Sequence, residues 1–236
     1  MERERKKAVE IVNLASYDVV LNVTALDQAK VEQVQKLIKA NLLSGRGSPF
    51  MGWEASSSYR IYYDRKDDPR YVAKQKWSDS GMVSLTVRLP RDVASNDYWK
   101  TSSLSCNSLL NELYLAERVR EIINGEEAQR IAVKCGCISL RFVEPLLGVI
   151  DRKKQVKYVV YEYVKGRGQR EATHGDSSIK SELAEKLEHL FRARGIEPYD
   201  LCSRQFILDD TENGAVAYLI DIEGYFLMKQ RANVNS

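Results

Sequence analysis

The chain has 236 residues, 44% of them hydrophobic and 29% charged, which suits one domain, or one with an appendage, and allows a sizeable core. Its 36 Lys and Arg against 33 Asp and Glu leave a net charge of +3, which excludes a strong electrostatic pull towards nucleic acid or anionic membrane. The apolar content excludes a disordered chain, and no run of about 18 apolar residues offers a spanning helix.

Residues 1–45 are expected to form a helical N-terminal extension. Val31, Val34, Ile38 and Leu42 recur at helical spacing from Asp27 onward, with Thr24 or Asp27 as the cap and Gly45 past the end. Val9 to Leu21 is apolar enough to dock on the same body. The charged start, Met1 to Lys7, is followed by no apolar signal core, so secretion is not expected. Gly45, Gly47, Pro49 and Gly52 then punctuate a loop. Tyr59 to Tyr63 and Tyr71 to Trp77 read as a hairpin about a polar turn, and Met82 to Leu89 alternates as a further strand.

Residues 104–124 give the clearest helix, with Leu109, Leu110, Leu113, Ala116, Val119 and Ile123 on one stripe. Ile138 to Ile150 and Val156 to Val164 read as a strand pair about Asp151-Arg152-Lys153-Lys154. Gly166 to Asp176 is a polar connector, and Ser178 to Arg194 is a second amphipathic helix on Leu183, Leu187, Leu190 and Phe191. Phe206-Ile207-Leu208 and Ala217 to Ile220 are short strands around the turn Glu212-Asn213-Gly214. The fold class is therefore α+β, a helix packed on an antiparallel sheet.

The cysteines suggest no chemistry. Cys135-Gly136-Cys137 has one residue between its thiols, and Cys106 and Cys202 lie far off. Zinc and redox motifs ordinarily use a two-residue spacing, so the expectation is buried thiols in a reducing, intracellular compartment.

The residues that carry chemistry are spread along the chain. Lys74 ends the apolar strand Tyr71-Val72-Ala73-Lys74; it lies on the strand's wet face or holds nucleotide phosphates. Glu112 lies within the helical stripe and needs a partner, for which Lys74 is a candidate, with Glu117 competing for the role. Tyr158 to Gly166 is a strand ending in a glycine. Asp200 and Asp221 each border a short apolar strand, and Gln205 stands five residues after Asp200.

Taken in order, these pieces resemble the protein-kinase-like fold over roughly residues 50–225. Gly52-Trp53-Glu54-Ala55 is also similar to a segment of the small atypical RIO kinases. The resemblance implies two lobes: an antiparallel-sheet N-lobe with one packed helix over 46–165, and a minimal helical C-lobe over 166–236. It implies ATP and Mg²⁺ as cofactors. Lys74 would hold phosphates with Glu112 orienting it, and backbone at Glu162 and Val164 would take the adenine. Gly52 would lie in the glycine loop, Asp200 would be the catalytic base, and Gln205 and Asp221 would hold the metal.

The departures from that pattern bear on activity. Gly45 to Gly52 is no regular glycine loop, Pro198-Tyr199 stands before Asp200, and Gln205 replaces an asparagine. Asp221-Ile222-Glu223 stands for D-F-G, and only fifteen residues follow Asp221, which reads as a truncated C-lobe. Thr173-His174-Gly175-Asp176 matches an H-G-D motif of aminoglycoside-phosphotransferase-like kinases but precedes the helix it should follow, and reads as a polar loop. The expected function is a pseudokinase, a nucleotide-binding or structural module within a larger assembly that docks a protein partner through its N-terminal helices. The alternative is a compact ATP/Mg²⁺-dependent phosphotransferase using Asp200 as base and Asp221 as metal ligand.

Overall fold

The computed structural model describes residues 9–13, 17–22, 32, 51–55, 59–63, 70–76, 104–151, 156–167, 173–199, 201–222 and 225–227. The chain is a mixed α+β protein whose contacts divide it into two units: Met1–Met82, Glu112–Glu117 and Glu144–Val164 in the first, and the remainder in the second.

The first unit is built on strands β1 (Val9–Asn13), β2 (Tyr17–Asn22), β3 (Met51–Ala55), β4 (Tyr59–Tyr63) and β5 (Tyr71–Lys76). β7 (Pro145–Asp151) and β8 (Val156–Glu162) complete it, while β6 (Cys137–Phe142) belongs to the second unit. The seven strands form one sheet in the order β1-β2-β7-β8-β5-β4-β3, with every neighbouring pair antiparallel. β-Branched and aromatic residues favour this pleated, half-buried surface. The expected hairpin over 59–77 is present as β4 and β5, with Ile61 opposite Lys74.

Three expectations are corrected here. Residues 9–13 and 17–22 are strands rather than part of a helical extension. Val19 and Leu21 are buried, and the Asn22 side chain donates to the Pro145 carbonyl over 2.9 Å, so this hairpin belongs to the sheet. The apolar run 138–150 is not one strand: it breaks at Val143-Glu144, and β6 pairs in parallel with a later strand while β7 pairs with β8. Gly52 lies within β3, skipped by the register between Met51 and Trp53, so it occupies a bulge rather than a loop. Residue 32 apart, the helix expected from Asp27 to Leu42 lies outside the described residues, as does the strand 82–89.

Helix α1 (Leu104–Ile123) contributes Glu112–Glu117 to the first unit and its other residues to the second. Leu113, Ala116, Val119 and Ile123 are buried, as the stripe required. The second unit adds α2 (Glu126–Lys134) and α3 (His174–Ala193). It also holds β9 (Ile196–Pro198), β10 (Phe206–Thr211), β11 (Gly214–Leu219) and β12 (Tyr225–Leu227). β10-β11-β6 form one small sheet, and β12 pairs with β9 in another.

α3 begins earlier than its apolar stripe shows. Thr173 is its N-cap: the Thr173 hydroxyl accepts from the Asp176 amide and the Asp176 carboxylate accepts from the Thr173 amide, a reciprocal capping box. The His174-Gly175-Asp176 segment is thus the helix's first turn, not a polar loop. Leu183, Leu187, Leu190 and Phe191 are buried, and the Phe191 ring meets Tyr225 edge-on at 5.2 Å. Gly195 ends the helix at φ +78°, the left-handed conformation in which a glycine has no Cβ penalty. No helix among the described residues is long and apolar enough to cross a membrane.

Candidate functional site

Strand register places Lys74 and Tyr161 on one face of the sheet, where Glu112 meets both. On paired antiparallel strands, directly opposed side chains share a face, and alternate residues along each strand return to it. Lys74 of β5 faces Val159 of β8, and Val72 faces Tyr161. Lys74 and Tyr161 therefore lie diagonally on one face of the sheet, within reach of long side chains. Glu112 of α1 meets both. Lys74 Nζ lies 3.5 Å from Glu112 Oε1, and the Tyr161 hydroxyl donates to Glu112 Oε2 over 2.6 Å.

The electrostatics of this cluster are those of a dry site. The Glu112 side chain is 1% exposed and that of Lys74 12%. A carboxylate so buried keeps its charge only where donors and an opposite charge reach it. Glu117, the competitor, is exposed on the same helix, so Glu112 is the partner of Lys74. The sequence alone gives Tyr161 no role. It stands two residues along β8 from Val159, which opposes Lys74, a pairing that only the structure shows.

β8 ends at Glu162, whose side chain is exposed, and half-buried Val164 follows. The chain here is held by Tyr163 N, which donates to the Arg70 carbonyl over 2.8 Å. Gly52 lies on edge strand β3 of the same sheet.

In the second unit, Gln205 closes the short 3₁₀ turn Ser203–Gln205 just before β10. Its side chain is buried, and its Oε1 accepts from the Cys202 amide over 3.3 Å. The Gln205 carbonyl accepts from Ile220 N over 2.9 Å, which brings the backbone of Gln205 beside the residue preceding Asp221. Asp221 is half-buried, with Ile222 fully buried after it. Asp200 lies outside the described residues; Leu201 N donates to the Pro198 carbonyl.

A second charged cluster surrounds Arg167. Its guanidinium donates twice to Asp176, each over 2.9 Å, and also pairs with Asp210. Lys180, itself buried, donates to the Arg167 carbonyl over 2.6 Å. Burial raises the Asp176 pKa, but the Thr173 amide and the Arg167 guanidinium outweigh it and hold the carboxyl at about 2. Asp176 is thus occupied in fixing the start of α3, and the H-G-D letters around it are structural.

Cys135 and Cys137 are free buried thiols. Burial first, then the neighbouring Cys135, pushes the Cys137 thiol up to about 11, which suits a core residue rather than a nucleophile. Among the described residues, no three His, Cys, Asp or Glu side chains group to hold a metal ion.

No family model matches this chain, and no curated protein matches it. Among solved structures, it is similar to the Rio2 kinase–ADP/Mg²⁺–phosphoaspartate complex from Chaetomium thermophilum, at 12% sequence identity and a TM-score of 0.41. The likeness covers 95% of this chain and 60% of that one.

Proposed function

We propose that the chain is a kinase-like module that binds a nucleoside triphosphate without transferring its phosphate, as a binding or structural member of a larger assembly. The observation that carries this reading is the buried Lys74–Glu112 ion pair, 3.5 Å apart, on the face of a seven-stranded antiparallel sheet. A strand lysine held by a helix glutamate is the arrangement that positions an ammonium for phosphate oxygens. Backbone at Glu162 and Val164 would take the adenine, and Gly52 would lie near the phosphates. Half-buried Asp221 offers a carboxylate for Mg²⁺, which when bound would neutralise phosphate charge.

Gln205 fits a metal less well. Its amide oxygen accepts from the Cys202 amide and its side chain is buried. That engagement favours binding over transfer, since transfer relies on a fully held metal to offset developing charge.

Thermal unfolding with ATP and Mg²⁺ tests the reading. The wild-type midpoint is expected to rise, and the rise to vanish in Lys74→Ala and in Asp221→Asn. No shift at saturating ATP would sink it. Phosphate release is expected to be absent; release abolished by Asp200→Asn would instead make the chain a compact phosphotransferase. A protein partner is proposed to engage the N-terminal region, residues 1–45; co-purification should recover it in stoichiometric amount, and a clean monomer under native conditions would count against it.

A further inference from the structure

The chain that leaves β8 towards α3 is fastened at Arg167. Its amide donates to the Leu208 carbonyl over 2.7 Å and its own carbonyl accepts from the Leu208 amide over 3.3 Å, a single antiparallel bridge onto β10. The same carbonyl accepts from Lys180 of α3, and the guanidinium joins Asp176 of α3 to Asp210 of β10. Gly166 lets the backbone come this close. Its φ is +154°, and a Cβ there would lie 2.6 Å from the Leu208 carbonyl oxygen, so any side chain would displace backbone. Upstream, Tyr163 is fastened to Arg70 within its own unit. Only Val164, Lys165 and Gly166 lie between, and the Val164 amide and carbonyl have no hydrogen-bond partner among the described residues.

We infer that Gly166 and Arg167 are positioning residues for the adenine end of the proposed site: by fastening the exit of β8, they hold the Val164 donor and acceptor in one arrangement before the ligand arrives. The inference rests on the nucleotide reading above. A short segment with one loose end samples many backbone conformations, and a ligand that bonds to it bears the entropy of fixing them. The Arg167 contacts meet that cost during folding. Neither residue need touch the ligand. Lys74, which would hold the phosphates, lies on β5 and outside the fastened segment. Loss of the fastening should therefore fall on the base and spare the phosphates.

The test is calorimetric titration of the full chain with adenosine, and separately with tripolyphosphate plus Mg²⁺, for wild type, Arg167→Met, Gly166→Ala and Asp210→Asn. Arg167→Met keeps an apolar stem without the ion pairs. It is expected to weaken adenosine about tenfold, the ordering cost of about one backbone residue, and to leave tripolyphosphate within about twofold. Gly166→Ala should do the same. Asp210 is exposed, so Asp210→Asn reads the same fastening without threatening the fold. It should weaken adenosine about threefold, the scale of an exposed ion pair, and add nothing in an Arg167→Met background. Equal weakening of adenosine and tripolyphosphate would make the cluster one that only holds the fold, and would overturn the inference. Unchanged adenosine affinity in Arg167→Met, or in Asp210→Asn, would also overturn it. A wild type that binds neither probe nor ATP would overturn the nucleotide reading itself; a wild type that binds adenosine as tightly as Arg167→Met does would overturn the inference alone.

Discussion

A carboxylate held away from water keeps its charge only through what touches it, and Glu112 and Asp176 do so by different means. Glu112 is met by the Lys74 ammonium and by the Tyr161 hydroxyl. Removing one partner of a buried pair strands the other, so Glu112→Leu is expected to cost about 3 kcal/mol in denaturant unfolding. Lys74→Met combined with Glu112→Leu should recover most of that loss, since an apolar replacement of both partners removes the stranded charge. The double variant is expected to be stable yet blind to ATP, which would separate the pair's role in folding from its proposed role in binding. Asp176 instead sits in a capping box with a bidentate arginine. Its pKa is lowered from 3.8 to about 2, so its contribution to stability is complete above the unfolded value and is lost as pH falls through the folded one. Asp176→Asn should cost about 1–2 kcal/mol at neutral pH, moderated because Arg167 is partly exposed. That difference should shrink on acidification towards pH 2. A gap that widens on acidification would contradict the assignment.

At the scale of elements, short segments joined by single side chains carry more of the fold than their length suggests. Gln129 of α2 donates to the carbonyls of Ile123 and Leu140 and accepts from the Leu140 amide, tying the end of α1 to β6. Gln129→Leu is expected to destabilise by about 2–3 kcal/mol, because polar backbone groups lose their partners without water to replace them all. Hydrogen exchange should rise at Leu140 first. Deleting residues 1–22 should be far worse, since it removes the buried Val19 and Leu21 from the sheet; loss of more than about 4 kcal/mol follows from two large core deletions. The sequence made the longest elements legible. The stripes of α1 and α3 and the hairpin β4–β5 have clear periods, and their burial follows from them. α2 was missed because its buried residues are Ala128 and Ala132, small side chains that give little apolar contrast among Glu, Gln, Arg and Lys. β1 and β2 were missed because apolar content was read without its period: Ile11 and Val12, then Val19 and Val20, are β-branched residues suited to a strand. The break at Val143-Glu144-Pro145 was hidden by the apolar residues on either side.

For the whole molecule, the order of the candidate residues was legible and their company was not. Glu112 stands out by its place in a helical stripe and Lys74 by its place at the end of an apolar strand, and the structure adds the contact between them. Tyr161 was invisible because its role comes from strand pairing, which no local spacing encodes. Gln205 matched by spacing, yet its side chain turns to Cys202, a preference set by a three-residue turn rather than by any distant partner. The net charge of +3 offers little long-range steering of a polyanion, so the proposed nucleotide affinity would come from the local ammonium and the backbone beside it. The claim that Lys74 faces phosphate is tested most directly by an acyl-phosphate derivative of ATP, which transfers its acyl group to a lysine lying beside the phosphates, followed by mapping of the modified peptides. Acylation is expected at Lys74 and suppressed by excess ATP. Labelling confined to other lysines, or labelling of Lys74 that excess ATP leaves unchanged, would contradict the account.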